Sequence, residues 1–142
     1  MKIITIYVGM GLTQAPEAFR VGFQNELKAG LRELEDIEIL DFVGLEGSTE
    51  EEVYSHDRNC TMTANLCVFI VDHPSIGLGI EIAFRLATGK PMLVFAKEDA
   101  KITRMLTGLC KIEQIQFYRY QEVSDLLRNI DIWLWGKAEL EG

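Results

Sequence analysis

Short apolar stretches alternate five times with longer amphipathic ones, and this alternation limits the possible folds more than any single residue does. The most telling stretch is "NLCVFIVD" (65–72), apolar almost throughout. A strand with one wet face alternates polar and apolar residues, so a run without that alternation needs cover on both faces, as at the centre of a parallel sheet. "KIITIYV" (2–8), rich in β-branched residues and ending at Gly9, predicts a first strand. "IEILDF" (37–42), "PMLVFA" (91–96) and "IQFYRY" (115–120) predict three more, the last near an edge because its polar residues alternate. From Pro16 to about Leu34, Phe19, Phe23, Leu27, Leu31 and Leu34 recur at helical spacing, with Pro16 at the first helical position, where its missing N–H costs nothing. Further helices are expected over about 49–64, 76–88 (closed by Gly89), 101–110 and 122–135. Strand and helix in alternation predict one domain over 1–142: a doubly wound, open α/β sheet of five mainly parallel strands, Rossmann- or flavodoxin-like, with helices on both faces.

Composition narrows the partners. The chain is 48% hydrophobic and 25% charged, the profile of an ordinary globular protein. No apolar run reaches the length of a membrane span, and "MKIITIYVGMG" is too short and too soon broken by glycine for a signal peptide, so a cytoplasmic protein is expected. Cys60, Cys67 and Cys110 are odd in number and lack paired metal-ligand spacing, which points to reduced thiols and no metal. A formal charge of −8 argues against a nucleic-acid polymer as partner. It leaves room for a small anion held by backbone N–H groups. The acidic "EGSTEEE" reads as a solvated helix start with Ser48 or Thr49 as N-cap.

In a doubly wound sheet, ligands sit beyond the C-terminal strand ends where the strand order reverses. Two loops qualify, "GMGLTQ" (9–14) and "HPSIGLG" (73–79). In the second, Gly77 and Gly79 permit a tight turn and close ligand approach, Ser75 is a natural N-cap, and Glu81 falls in the first or second helical turn. A carboxylate there can attack an electrophilic sugar carbon, or it can simply complement the helix dipole. "GLGIEI" lacks the third glycine of a dinucleotide fingerprint. Asp57, late in the preceding helix, reaches the same crevice or else is a surface aspartate; two carboxylates in one crevice allow one to attack and one to manage a proton. His56 and His73 flank the crevice, His73 most simply as a loop residue at a strand end. Tyr7 points either into the crevice or into the core. Arg85 and Lys90 read as helix-end charges, and Trp133 and Trp135 as packing residues or part of a subunit interface.

The segment from Asp57 through "NLCVFIVDHPSIGLGIEIA" to "TGKP" (88–91) resembles the nucleoside 2-deoxyribosyltransferase family, together with its 2′-deoxynucleoside 5′-phosphate N-hydrolase relatives. The similarity is sharpest over residues 57–95. It implies a cofactor-free and metal-free enzyme of nucleotide salvage. Glu81 would attack C1′ of a 2′-deoxynucleoside to form a covalent deoxyribosyl ester, with Asp57 assisting the leaving base. It also implies a homo-oligomer with shared active sites. The first loop, "IYVGMGLT", is transferase-like at Tyr7, Gly9 and Gly11, whereas Met10 and Leu12 stand where the hydrolases carry a serine and a basic residue. The later loop is hydrolase-like: Pro74-Ser75 replaces a second acid of the transferases. By the same resemblance Ser75, Gly77 and Gly79 belong to the substrate-binding set. Thr103 matches a hydroxyl that a neighbouring subunit supplies to a phosphate. The expected activity is transfer of the sugar to another nucleobase. The alternatives are hydrolysis of 2′-deoxynucleoside 5′-monophosphates to base and deoxyribose 5-phosphate, or a non-catalytic nucleotide-binding module.

Overall fold

The structure, a computed structural model, describes residues 2–12, 14–40 and 47–141. The five strands are β1 (Ile4–Met10), β2 (Ile37–Leu40), β3 (Leu66–Ile70), β4 (Met92–Lys97) and β5 (Gln116–Tyr120). They form one sheet in the order β2-β1-β3-β4-β5. Every pairing is parallel, with Gly9 opposite Phe69 and Phe69 opposite Val94 at the centre. The helices are α1 (Gln24–Arg32), α2 (Glu50–Thr63), α3 (Ile76–Thr88), α4 (Arg104–Ile112) and α5 (Val123–Glu141). The sheet grows outward in opposite directions from β1 and β3, so the switch point lies between their C-terminal ends.

Side chains of successive strand residues point to opposite faces, which divides the core in two. On one face Ile6, Val8, Val68, Ile70 and Phe95 pack with Leu27 and Leu31 of α1 and Leu126 and Ile130 of α5. On the other, Tyr7, Cys67, Phe69 and Val94 pack with Ala64 just beyond α2, Leu78 and Ile82 of α3, and Cys110 of α4. All five residues of β3 are buried, as its unbroken apolar run requires.

Several boundaries differ from the sequence expectation. β1 runs through Gly9 to Met10 instead of stopping at the glycine. A Cβ on Gly9 would stand 2.8 Å from the Phe69 ring, so glycine is what lets β1 lie against this part of the core. The first helix opens as a π-helical stretch, Ala18–Phe23, in which the Phe19 and Phe23 rings stack at 4.9 Å. The last helix continues beyond the expected end near 135, through "GKAELE" to Glu141; Lys, Ala, Glu and Leu all favour helix. Gly77 and Gly79 lie within α3, and neither has the positive φ of a tight turn. Asp41 and Phe42, read as the end of the second strand, lie outside the described residues.

Candidate active site

The third βα connection is shaped by one cap. Ser75, extended at φ −156°, accepts a hydrogen bond from Leu78 N at 3.1 Å and starts α3. Six residues on, Glu81 projects toward β1, where the Tyr7 hydroxyl donates to its Oε1 at 2.5 Å. Tyr7 is almost fully buried, so of the two orientations open to it, the side chain points inward with its phenol reaching the acid. Burial, reinforced by the Glu81 charge, raises the phenol's pKa and keeps it a donor.

Glu81 itself is pushed up to about 7. Burial is the main cause; the nearby Asp57 carboxylate adds to it, and the Tyr7 hydrogen bond works in the opposite direction. Glu81 and Asp57 line one cleft of about 410 Å³, walled by Tyr54, Phe84, Ile80 and Gly77. The volume suits a small-molecule ligand. Tyr54 and Phe84 meet edge-to-face at 6.2 Å, and the Arg58 guanidinium stands 5.6 Å over the Phe84 ring. The cleft thus offers the Asp57 and Glu81 carboxylates, with Glu50 a third in its lining, an aromatic wall and one cation.

What sets Asp57 beside Glu81 is a buried cation that sequence reasoning placed at a helix end without a role. Arg85, one turn after Glu81, is fully buried. Its guanidinium donates to the carbonyls of Thr61 (3.1 Å), Ala64 (2.7 Å), Asn65 (3.1 Å) and Pro91 (2.8 Å). Thr61 and Ala64 close α2 one turn or more beyond Asp57, and the Thr61 hydroxyl returns to Asp57 O at 2.5 Å. Lys90 Nζ adds a bond to Met62 O at 3.0 Å. Carbonyls at a helix C-terminus carry partial negative charge, so they suit an arginine without a carboxylate partner. α2 and α3 are thereby locked in register four residues beyond the acid pair.

The remaining predicted site residues divide into two groups. Ser75, Gly79 and Thr103 line a separate, mostly apolar cavity of about 360 Å³ between α3 and α4. Thr103 there caps α4, accepting from Met105 N at 3.3 Å. Gly9 and Gly11 are packing positions at the rim: a Cβ on Gly11 would lie 2.8 Å from Ser75 Cβ and 2.9 Å from His73 O. The two loops therefore touch at a point where only glycine fits. His73 rests edge-on against Phe19 at 4.6 Å, away from Glu81. Cys60 and Cys67 are buried free thiols, Cys67 pushed up to about 12 by burial, so neither is a thiolate near neutrality. Among the described residues no group of three or more His, Cys, Asp or Glu side chains is placed to hold a metal ion, and no helix is long and apolar enough to cross a membrane.

No family model matches the chain. A protein of Thermofilum pendens named 2′-deoxynucleoside 5′-phosphate N-hydrolase 1 is 29% identical over 97 residues, 67% of this chain and 67% of that protein. Its namesake in Syntrophotalea carbinolica is 35% identical over 94 residues, 65% of each chain. Over about two thirds of its length the chain is thus similar to 2′-deoxynucleoside 5′-phosphate N-hydrolases, in keeping with the resemblance to the nucleoside 2-deoxyribosyltransferase family. Among solved structures, the Clostridium botulinum CMP N-glycosidase superposes with a TM-score of 0.70 at 17% identity over 91% of this chain and 98% of that one, a likeness in fold. In this chain the two acids singled out by sequence share a cleft, while the serine, threonine and three of the four glycines lie at its rim or beyond it.

Proposed function

We propose that this chain is an N-glycosidic-bond enzyme that hydrolyses 2′-deoxynucleoside 5′-monophosphates, with Glu81 as nucleophile and Asp57 as the acid serving the leaving base. The observation that carries it is the short Tyr7–Glu81 hydrogen bond inside a cleft that also holds Asp57. Tyr7 occupies Oε1 and leaves Oε2 to bond C1′. As that bond forms, the C1′–N bond breaks and its electron pair passes to the base, which takes a proton delivered through Asp57. Water then attacks C1′, releases the sugar and regenerates the carboxylate. Positive charge that develops on the sugar ring is stabilised by the adjacent anion. A nucleophile pushed up to about 7 is more basic than an ordinary glutamate yet still half ionised near neutrality. Tyr54 and Phe84 supply an apolar wall for the base, and Arg58 a counter-charge for phosphate.

Hydrolysis is favoured over transfer by the names of both relatives and by Ser75 standing where the transferases carry a second acid. Transfer to a second base is the other reading, supported by the transferase-like Tyr7, Gly9 and Gly11 of the first loop. A cytoplasmic homo-oligomer with shared sites completes the proposal. Ile76 at the start of α3 is 87% exposed and Met105 of α4, which lines the cavity between α3 and α4, is 83% exposed; a second copy would cover them.

The test is product analysis over a panel of 2′-deoxynucleosides and their 5′-monophosphates, with and without a second free base. Free base with deoxyribose 5-phosphate establishes hydrolysis of the nucleotide. A new nucleoside establishes transfer. Ligand binding without either product leaves a binding module and removes the enzymatic reading. Intact-protein mass spectrometry after acid quench should show one added deoxyribosyl 5-phosphate unit with a monophosphate substrate, lost in Glu81→Ala.

A further inference from the structure

Three side chains on α2 form a chain of contacts behind the proposed acid. Cys60 Sγ lies 3.8 Å from His56 Nε2, and His56 Nδ1 lies 3.1 Å from Asp57 Oδ1. Consecutive side chains on a helix point about 100° apart, so nothing in helix geometry brings His56 onto Asp57. The contact is a choice of rotamers on both residues. Cys60 and His56 are an (i, i+4) pair on one helix face, where such contacts are expected.

The protons along this chain can be assigned. Cys60 is buried, and its environment of low dielectric and two nearby carboxylates keeps it a thiol. The Asp57 carboxylate oxygen accepts, so the ring nitrogen facing it, Nδ1, is the donor, and Nε2 is left to accept from the Cys60 thiol. In a neutral imidazole only one nitrogen carries a proton, so Nδ1 carries it and donates to Asp57 Oδ1. Asp57 and Cys60 from α2 contact this ring, and Glu81 from α3 bears on it through Cys60, whose thiol feels the Glu81 charge.

We propose that His56 is a positioning residue, held in its Nδ1-protonated tautomer by Cys60, and that it fixes the Asp57 carboxylate with Oδ2 left for the leaving base. This rests on the role given to Asp57 above. Asp57 is only partly buried, its side chain 21% exposed, so without His56 it would sample other rotamers and spend less time aimed into the cleft. The interaction acts on the step in which the base departs and little on ground-state binding, so it belongs in kcat more than in KM.

The experiment compares His56→Asn, whose side-chain N–H mimics Nδ1–H, with His56→Gln, whose N–H mimics Nε2–H, and with His56→Ala. For a partly exposed charge-assisted hydrogen bond, Gln and Ala should lower kcat about five- to ten-fold with KM nearly unchanged, while Asn stays within about two-fold of wild type. A second readout does not need turnover. His56 and His73 are the two histidines of the chain, so a His73→Gln variant assigns their imidazole 15N resonances. At about pH 8, where imidazole is neutral, His56 should carry its proton on Nδ1, and Cys60→Ala should weaken that preference. Gln rescuing while Asn fails, all three variants turning over at the wild-type rate, or an Nε2-protonated His56 in an active wild type overturns this inference and leaves the function standing. A wild type that keeps the Nδ1 tautomer but cleaves nothing in the panel overturns the functional reading, and the role of His56 with it.

Discussion

Two tyrosine–carboxylate pairs sit on opposite faces of the same sheet, and their difference separates a structural acid from the proposed nucleophile. Tyr7 donates to Glu81 on the α2–α3 face; Tyr120 donates to Asp72 Oδ2 on the α1–α5 face. Both phenols are buried strand residues whose pKa is raised by burial and by the acid they face. Both acids border a cavity, and the one beside Asp72 is the larger, about 880 Å³. Cavity size therefore does not separate them. Their donors do. Asp72 also accepts the backbone N–H of Lys97 at 2.8 Å, so its two oxygens tie the end of β3 to β4 and β5. Glu81 has Tyr7 as donor, a second carboxylate nearby and burial working against its charge, which together bring it to about 7. An acid with two fixed donors is a structural tie; an acid with one donor and an anionic neighbour is held short of full stabilisation, where a substrate can complete it.

The sharpest way to break this contrast is to remove each acid. Glu81→Ala should lower turnover by at least about a thousand-fold while the circular-dichroism spectrum and cooperative melting are kept, because the proposed nucleophile is lost and the hydrophobic packing of β1 and α3 is not. Asp72→Asn should keep turnover within a few-fold and lower stability by about 1–3 kcal/mol, since a backbone N–H and a phenol lose a charged acceptor. Wild-type activity in Glu81→Ala would end the nucleophile assignment.

A second cut uses Arg85. Arg85→Met removes four carbonyl partners of α2, Asn65 and Pro91 and should cost about 3–4 kcal/mol, read as a lower urea midpoint. Because Asp57 loses its register with Glu81, kcat should fall in the surviving folded fraction. Asp72→Asn, which also destabilises the fold, should not show that fall.

Most of the fold was legible before any coordinates, because burial on both faces of β3 and one-sided burial of α5 write themselves into periodicity. That Asp57 and Glu81 share a cleft was legible through the resemblance carried by residues 57–95, whereas the residues alone left Asp57 as readily a surface aspartate. What stayed hidden depends on partners without side-chain identity. Arg85 meets only backbone carbonyls, which no residue pattern announces. Asp72 finds Tyr120 48 residues away across two strands. Gly9 and Gly11 looked like ligand-facing glycines but answer to Phe69, Ser75 and His73, contacts that exist only after β1 and β3 pair. Gly77 and Gly79 looked like a turn because glycine is equally permissive in a turn and in a helix's first turn; the Ser75 cap decided for helix.

The two acids should also differ in the sign of their effect on stability. Glu81 is raised from 4.5 to about 7 in the folded state, so folding favours its protonated form. That stabilisation is complete below the unfolded value and is lost as pH rises through about 7. Replacing Glu81 with a neutral isostere removes the penalty: at about pH 8, Glu81→Gln should be more stable than wild type by roughly 2–3 kcal/mol, with the gap closing toward pH 4. Asp72→Asn moves the other way at the same pH. Thermal melts at the two pH values measure both, and a Glu81→Gln protein destabilised at pH 8 would mean the carboxylate is better solvated than its cleft implies.

The finest cut leaves both acids in place and removes one hydroxyl from each pair. The Tyr7 hydrogen bond lowers the Glu81 pKa against burial. Tyr7→Phe should therefore move the acid limb of kcat/KM upward from about 7, by roughly one unit, because more of the nucleophile is protonated at any given pH. At high pH the rate should recover most of the way, since the anion, once formed, still faces C1′. Tyr120→Phe takes the same group from the other pair and should lower the melting temperature while leaving that limb where it was. If the limb moves equally in both variants, the titration belongs to the whole domain and not to the acid Tyr7 holds. If it moves in neither, the group that titrates in catalysis is not Glu81.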